Sequence, residues 1–512
     1  APSSAPSSQS APSAASPSSA PTPTGVPNVK DDLPTTSPLS AGILDAIRKS
    51  PIGSGARIGV FVKALDNQEI LLSIGADESL KPASCFKLFT TAAALGILGP
   101  DFTWTTDISI SGPIRNGILE GSVILTGQGD PSIGGRYNPK DTRDLTWQMR
   151  DWARQIKDRG IRRIRGDVIG DDDFFGDDAF GRGWYPDERA EWYCAEVSAL
   201  SFNDACIDIL WKGGPVPNSP VTFTLNPPTK FCQVANFVRT VDAKADVDLR
   251  YLREETSNFI RAEGVMPAKG EKYGYAAIHN PTLFTAWIFK ETLEREGIAV
   301  GGRARDIDEF TTKTAVRENL RTVVTHTSPP LSEIVRVVNR NSQNLYAELV
   351  LRTFGKRETG EGTFESGCRA LEGFLSSRHL LRNGFCAVDG SGLSYFNRTT
   401  ARMLGELLAS MDLGPERDLF ADSLPRGGER GTLKSRFQDD DASREAGGRI
   451  YGKTGYIGGV HSMSGYIEGR RRLAFSIILN DFSCSDTAAR NLVDRIALDV
   501  AKWDKPEEKA GK

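Results

Sequence analysis

The stretch ARIGVFVKALDNQEILLSIG, residues 56–75, decides the reading of the fold, because its counterpart stands at the far end of the chain. Ile58, Val60 and Val62 alternate along it with the period of two that marks a strand, and Asp66-Asn67-Gln68 forms a turn before a second apolar run. Residues 458–481, GGVHSMSGYIEGRRRLAFSIILND, show the same character: two strands about a glycine-containing turn at Glu468-Gly469-Arg470. A helix is predicted over about Thr487 to Trp503, with Leu492, Ile496 and Val500 on one face. SCFKLFTTAAALGIL, residues 84–98, is helical in composition and stops at Gly99-Pro100. Strand-rich segments at both ends with helices between predict an α/β domain whose central sheet takes strands from both termini.

A chain of 512 residues is long enough for two or three domains. Its 39% hydrophobic and 25% charged content is that of a globular protein, and the net charge of -3 argues against a nucleic-acid partner. No run of 18 apolar residues suggests a transmembrane helix. Residues 1–37, almost all Ala, Pro, Ser and Thr, read as a disordered tether that buries too little apolar surface to offset its ordering entropy. The start lacks an initiator Met, a basic segment and an apolar segment, which suits a mature exported chain, periplasmic or extracellular.

Seven cysteines leave room for disulfides at spacings such as Cys194/Cys206 and Cys368/Cys386, with connectivity open. None falls in a C-x-x-C pair. His279, His326, His379 and His461 are widely separated, so no metal and no cofactor is expected. The absence of G-x-S-x-G also disfavours a Ser-His-Asp site.

Three short motifs carry the chemistry. The first is Ser84-Cys85-Phe86-Lys87. Residues i and i+3 share a helix face, so the Lys87 amine can reach the Ser84 hydroxyl. It can act as base if burial or a second cation lowers its pKa. Lys453 is the candidate for that cation. Alone the motif is weak, since about two matches are expected by composition in a chain this long.

The second motif is Ser342-Gln343-Asn344: a hydroxyl to relay a proton and an amide to hold substrate or Lys87. Taken singly, Ser342 also reads as the N-cap of the helix-like NLYAELVLRTFG, and Ser201-Phe202-Asn203 matches the same pattern. The third is Lys453-Thr454-Gly455 before a strand, where a cation and a hydroxyl suit a terminal carboxylate and the glycine admits a ligand close to the backbone. Alone, GKTG is also a simple turn. In this order the three form the signature of serine enzymes that acylate on penicillin or on D-alanyl peptides.

Between the first two motifs lies a long region with short strands in GSVILTG, RIRGDVIGDD, VTFTLN and around AIHNP. It reads as inserted, mostly β domains.

With these motifs the chain resembles the class C low-molecular-mass penicillin-binding proteins, the D-alanyl-D-alanine carboxypeptidase/endopeptidase family, over about residues 40–500. PASCFKLFTTAAAL, TGQGDPS, SALSFNDACIDI, IHNPTLFTAWIFKETLEREGIAVGG, NSQNLYAELVLRTFG, DGSGLS and GKTG…SMSGY stand in the family's order. The resemblance implies a transpeptidase-like domain at 38–105 and 320–506, an inserted domain at 106–124 and 205–319, a third at 125–204, and a tail at 507–512.

It implies that Ser84 is acylated, Lys87 is the base, Ser342 passes a proton to the leaving group and Asn344 positions substrate and lysine. Lys453 and Thr454 would bind the terminal carboxylate, and the N–H groups of Ser84 and Tyr456, the latter after Gly455, would hold the oxyanion. Peptidoglycan stem peptides and β-lactams are the implied partners, with carboxypeptidase action extended to endopeptidase action on cross-links. Gln343, Tyr456 and Cys85 depart from the residues usual at their positions. Asp171-Asp172-Asp173 and Asp389-Gly390-Ser391-Gly392 resemble structural loops of the family. Alternatives are a β-lactamase-like, esterase or D-aminopeptidase activity on the same scaffold, or a non-catalytic protein that binds cell wall.

Overall fold

A computed structural model describes residues 32–33, 37–134 and 143–506. Most of the tether expected at 1–37 and the whole tail at 507–512 lie outside the described residues. The fold is mixed α/β and multi-domain.

The sheet expected from the two chain ends is antiparallel and five-stranded, in the order Ile450–Ile457, Val460–Glu468, Arg472–Asn480, Arg57–Ala64 and Ile70–Ile74. Its centre pairs Arg57 with Asn480 through Ala64 with Leu473, so the two termini are hydrogen-bonded to each other along a whole strand. Gln68 takes the left-handed φ of 62° that closes the first hairpin. Ile58, Val60 and Val62 pack with Leu492, Ile496 and Val500 of the helix Asp486–Trp503 and with the helix Pro38–Lys49. Residues on the opposite face of the sheet, Phe61, Tyr466, Ala474 and Ile478, meet the helices Lys87–Leu98, Asn344–Thr359 and Ala401–Asp412. The Lys453 strand is an edge of this sheet, free on one side to face a cleft.

The intervening region builds further sheets. One has five strands, in the order Ala304–Asp306, Val168–Asp171, Val123–Gly127, Thr105–Ile110 and Arg321–Thr327. Strand pairing therefore crosses the boundary expected at residue 125. Val123–Gly127 and Val168–Asp171 are parallel neighbours, and the helix Trp147–Asp158 connects them, as parallel pairing requires. Residues 206–277 instead make two three-stranded sheets of their own. The strand expected around AIHNP is Glu271–Ala277, which ends on the first residue of that segment; Asn280 then caps the helix Pro281–Arg295, accepting the N–H of Leu283.

The disulfides allowed by spacing do not form. None of the seven cysteines is in a disulfide, and Cys194, Cys206 and Cys368 are buried in the core. Among the described residues no helix is long and apolar enough to cross a membrane.

Candidate active site

Ser84 does not lie on the α-helix itself. A tight 3-10 turn, Ala83–Phe86, carries it, and Lys87 opens the helix Lys87–Leu98. Ala83 is held at φ 48°, a left-handed conformation costly for a residue with a side chain, and it sets Ser84 at the mouth of a cavity. Ser342 is strained in the same way at φ 57°, between the helices Leu331–Arg340 and Asn344–Thr359. It does not cap the second helix: Gln343 occupies that position without a side-chain cap bond.

The three motifs meet. Lys87 Nζ is 3.0 Å from Ser84 Oγ, 2.6 Å from Asn344 Oδ1 and 2.7 Å from the Ser391 carbonyl. The last two are acceptors only. A neutral amine has two N–H bonds and one lone pair. With both N–H bonds directed at these oxygens, the lone pair is left for the Ser84 hydroxyl proton. Burial, reinforced by the charge of Lys453, pulls the Lys87 pKa well below the ordinary lysine range.

Lys453 Nζ donates to Ser342 Oγ at 2.8 Å and to the Thr454 carbonyl at 2.6 Å. Burial lowers its pKa to about 8. Thr454 Oγ1 lies 2.8 Å from Thr432 Oγ1 at the cleft, and Asn344 Nδ2 donates to the Tyr193 carbonyl at 2.7 Å.

Gly455 is required by packing within the protein. A Cβ there would stand 2.3 Å from Ser462 Oγ and 2.7 Å from the Pro82 carbonyl, so only glycine lets the strand lie against the Ser84 turn. Ser462 Oγ donates to that same carbonyl at 2.7 Å. Cys85 points away from the cleft. Its fully buried thiol donates to the Lys453 carbonyl at 3.1 Å, and burial pushes its pKa up, which leaves the serine as the nucleophile of the pair. Tyr456 is half exposed, with its ring against His461.

Ser84, Ser342, Asn344, Thr454 and Tyr456 all line one open cavity of about 580 Å³, a size suited to a small peptide. Glu188, Trp192, Tyr193, Tyr395 and Thr432 also line it, and sequence reading missed them. The crowding of aromatic and acidic residues in WYPDERAEWYC was the available signal for the first three.

Glu348 was missed as well. It is fully buried and accepts the N–H groups of Gly390 and Ser391 at 2.7 and 2.8 Å, so it shapes the loop whose carbonyl holds Lys87. Burial raises its pKa, with the carboxylate of Asp389 adding to the effect. Asp389 accepts the N–H groups of Gly392 and Ser394 and the Trp184 indole N–H, at 2.7, 2.6 and 2.8 Å. The Asp389–Gly392 loop, expected to be structural, therefore touches the site. Asp171 and Asp173 form ion pairs with Arg317, and Asp173 also with Lys313.

Residues 39–502 match the D-Ala-D-Ala carboxypeptidase 3 (S13) family. The chain is 30% identical over 473 residues to a D-alanyl-D-alanine carboxypeptidase of Actinomadura sp. (strain R39), covering 90% of this chain and 84% of that protein. It is 23% identical to the D-alanyl-D-alanine carboxypeptidase DacB of Haemophilus influenzae, covering 90% of this chain and 92% of that one. The crystal structure of penicillin binding protein 4 (dacB) from H. influenzae superposes with a TM-score of 0.74 at 21% identity, over 90% of this chain and 99% of the other. The chain belongs to the D-Ala-D-Ala carboxypeptidase 3 (S13) family.

Proposed function

We propose that this serine D-Ala-D-Ala carboxypeptidase works through an acyl-enzyme on Ser84, with Lys87 as its base. Ser84 Oγ gives its proton to the Lys87 lone pair and bonds to the carbonyl carbon of the penultimate D-alanine. The oxyanion is received by the backbone N–H groups of Ser84 and Tyr456. The proton passes by way of the Ser342 hydroxyl to the amide nitrogen, the C–N bond breaks, and D-alanine leaves as the amine. Lys453 and Thr454 hold the terminal carboxylate throughout. Water then attacks the ester carbonyl and gives a proton to Lys87, which returns a proton to Ser84 Oγ as the acyl C–O bond breaks, so the shortened peptide leaves with Ser84 and Lys87 restored.

The observation that carries this reading is the arrangement of Lys87, in which two carbonyl-type acceptors at 2.6 and 2.7 Å use up its N–H bonds and leave Ser84 Oγ at 3.0 Å for the lone pair. The proposal extends to β-lactams, whose ring-opened amine stays tethered after acylation, and to peptidoglycan as the substrate of an exported enzyme. It extends also to the domain plan. The pairing of Val123–Gly127 with Val168–Asp171 favours one inserted domain from residues on both sides of 125, with 206–277 as the innermost insertion.

The test is intact-mass measurement after a short incubation with benzylpenicillin, beside Ser84→Ala. One adduct on the wild type and none on the variant is expected. No adduct with penicillin intact overturns the acyl-serine site, and rapid loss of penicillin without an adduct points to a β-lactamase.

A further inference from the structure

A second cavity, of about 290 Å³, shares Thr454 and Tyr456 with the catalytic cavity. Successive residues on a strand point to opposite faces. The Lys453 side chain reaches Ser342 and Gly455 lies against the Ser84 turn, so Thr454 and Tyr456 turn the other way. Past the Thr454 hydroxyl the cleft therefore continues into this second space. Its other walls include Arg436, His461, Thr487 and Arg490.

These groups are not equivalent. Arg436 is held by both carboxylate oxygens of Asp494. Asp486, also at the rim, accepts the Tyr456 hydroxyl at 3.3 Å and lies 3.3 Å from His461 Nε2. Tyr456 pairs with His461 across the two strands, and their rings lie 4.9 Å apart, so the tyrosine is fixed as the partition between the cavities. One cation remains without a direct partner. The exposed Arg490 guanidinium makes no ion pair or hydrogen bond with another described residue, although its charge acts on Asp494 and His461.

We propose that this second cavity is a leaving-side subsite for a residue larger than D-alanine that carries a second anionic group, which Arg490 receives. The inference rests on the carboxypeptidase reading, because the carboxylate held at Thr454 is what brings the leaving residue to the mouth of this cavity. The bond broken is the same amide: its acyl carbon goes to Ser84 Oγ and its nitrogen, with the proton relayed through Ser342, leaves on the larger residue. Within a peptide cross-link that cleavage is an endopeptidase reaction. Arg490 is then a specificity residue, distinct from the groups that act on the reacting atoms.

The test uses the full chain and three acyl-D-alanyl-D-Xaa dipeptides in which the leaving residue is D-alanine, D-glutamate or D-lysine. Wild type is expected to favour D-glutamate over D-lysine in kcat/KM by about fivefold or more, the size of one partly exposed charge pair. Arg490→Ala should abolish that preference and Arg490→Glu invert it, with D-alanine release unchanged in both. An unchanged ratio in Arg490→Ala overturns the subsite, as does a loss of D-alanine release in the same proportion. Failure of the carboxypeptidase reading looks different, since the wild type would then release no D-alanine at all.

Discussion

Glu348 accepts the Ser391 N–H at 2.8 Å while the Ser391 carbonyl accepts Lys87 Nζ at 2.7 Å, so one buried carboxylate anchors the residue whose carbonyl orients the base. The carboxylate does not touch the lysine amine directly through any hydrogen bond. It acts through a loop, and its charge opposes the burial that lowers the lysine's pKa. Glu348 is thus a positioning residue that sits behind the reacting groups.

Glu348→Gln tests this. The amide has nearly the same shape, but one of its two ends is an N–H donor facing a backbone N–H. A buried donor left without an acceptor costs about 1–3 kcal/mol. Urea unfolding should show a loss in that range. Acylation by benzylpenicillin should slow as well, because the Ser391 carbonyl that orients Lys87 shifts when the Ser391 N–H loses its acceptor.

Gln343 shows how a departure from a family's usual residue is balanced elsewhere. Its Nε2 donates to Asp204 Oδ2 at 2.6 Å, with both residues buried, and this bond ties the second motif to the left-handed stretch Asn203–Ala205. Gln343→Asp brings in a more usual family residue, yet it sets one carboxylate against another. We expect it to cost about 3 kcal/mol at pH 7, as for other unpaired buried charges. The double variant Gln343→Asp/Asp204→Asn should recover most of that loss in urea unfolding. Equal stability of the single variant and the wild type would show that the pair does not couple.

Much of the site was legible in the sequence because its chemistry is local. Ser84 and Lys87 are three apart on one turn, and Lys453-Thr454-Gly455 is continuous on an edge strand. The termini were legible too, since the apolar runs at 57–64 and 472–480 have to be buried, and both strands are buried along nearly their whole length. Contacts that depend on backbone atoms of distant segments were not: no side chain announces that the Tyr193 carbonyl will hold Asn344. Glu348 did leave a trace, as a charged residue amid the apolar run of NLYAELVL, where a lone charge has to find buried partners. The pairing of 123–127 with 168–171 was not legible, because short strands do not name their neighbours.

Gly455→Ala should separate folding from catalysis. The new methyl would press on Ser462 Oγ at 2.3 Å and on the Pro82 carbonyl at 2.7 Å, and the Ser84 turn is the part free to shift toward the cleft. A displacement on the order of 1 Å costs about 100-fold in rate when reacting atoms have to align. Circular dichroism should report a folded protein whose acylation by benzylpenicillin is slowed by about that factor. Acylation at the wild-type rate would show that the strand, and not the nucleophile's turn, takes up the strain.

The two lysines set opposite limbs of the pH profile. Lys87 has to be neutral to accept the Ser84 proton, and burial lowers its pKa, so the rate rises with pH as it deprotonates. Lys453 has to be charged to hold a carboxylate and to keep Ser342 in place, and its pKa is brought to about 8. One pH unit below that value the ammonium form predominates about tenfold, and one unit above it is the minor form by the same factor. The acylation rate constant measured against pH should therefore follow a bell whose alkaline limb falls near pH 8. The two apparent values belong to the pair, because each charge disfavours the other. Lys453→Arg assigns the limb: a guanidinium stays charged across this range, so the fall near pH 8 should vanish while the acid limb persists. If the alkaline limb stays in place in that variant, another group controls it, and Lys453 is not the cation whose loss ends activity.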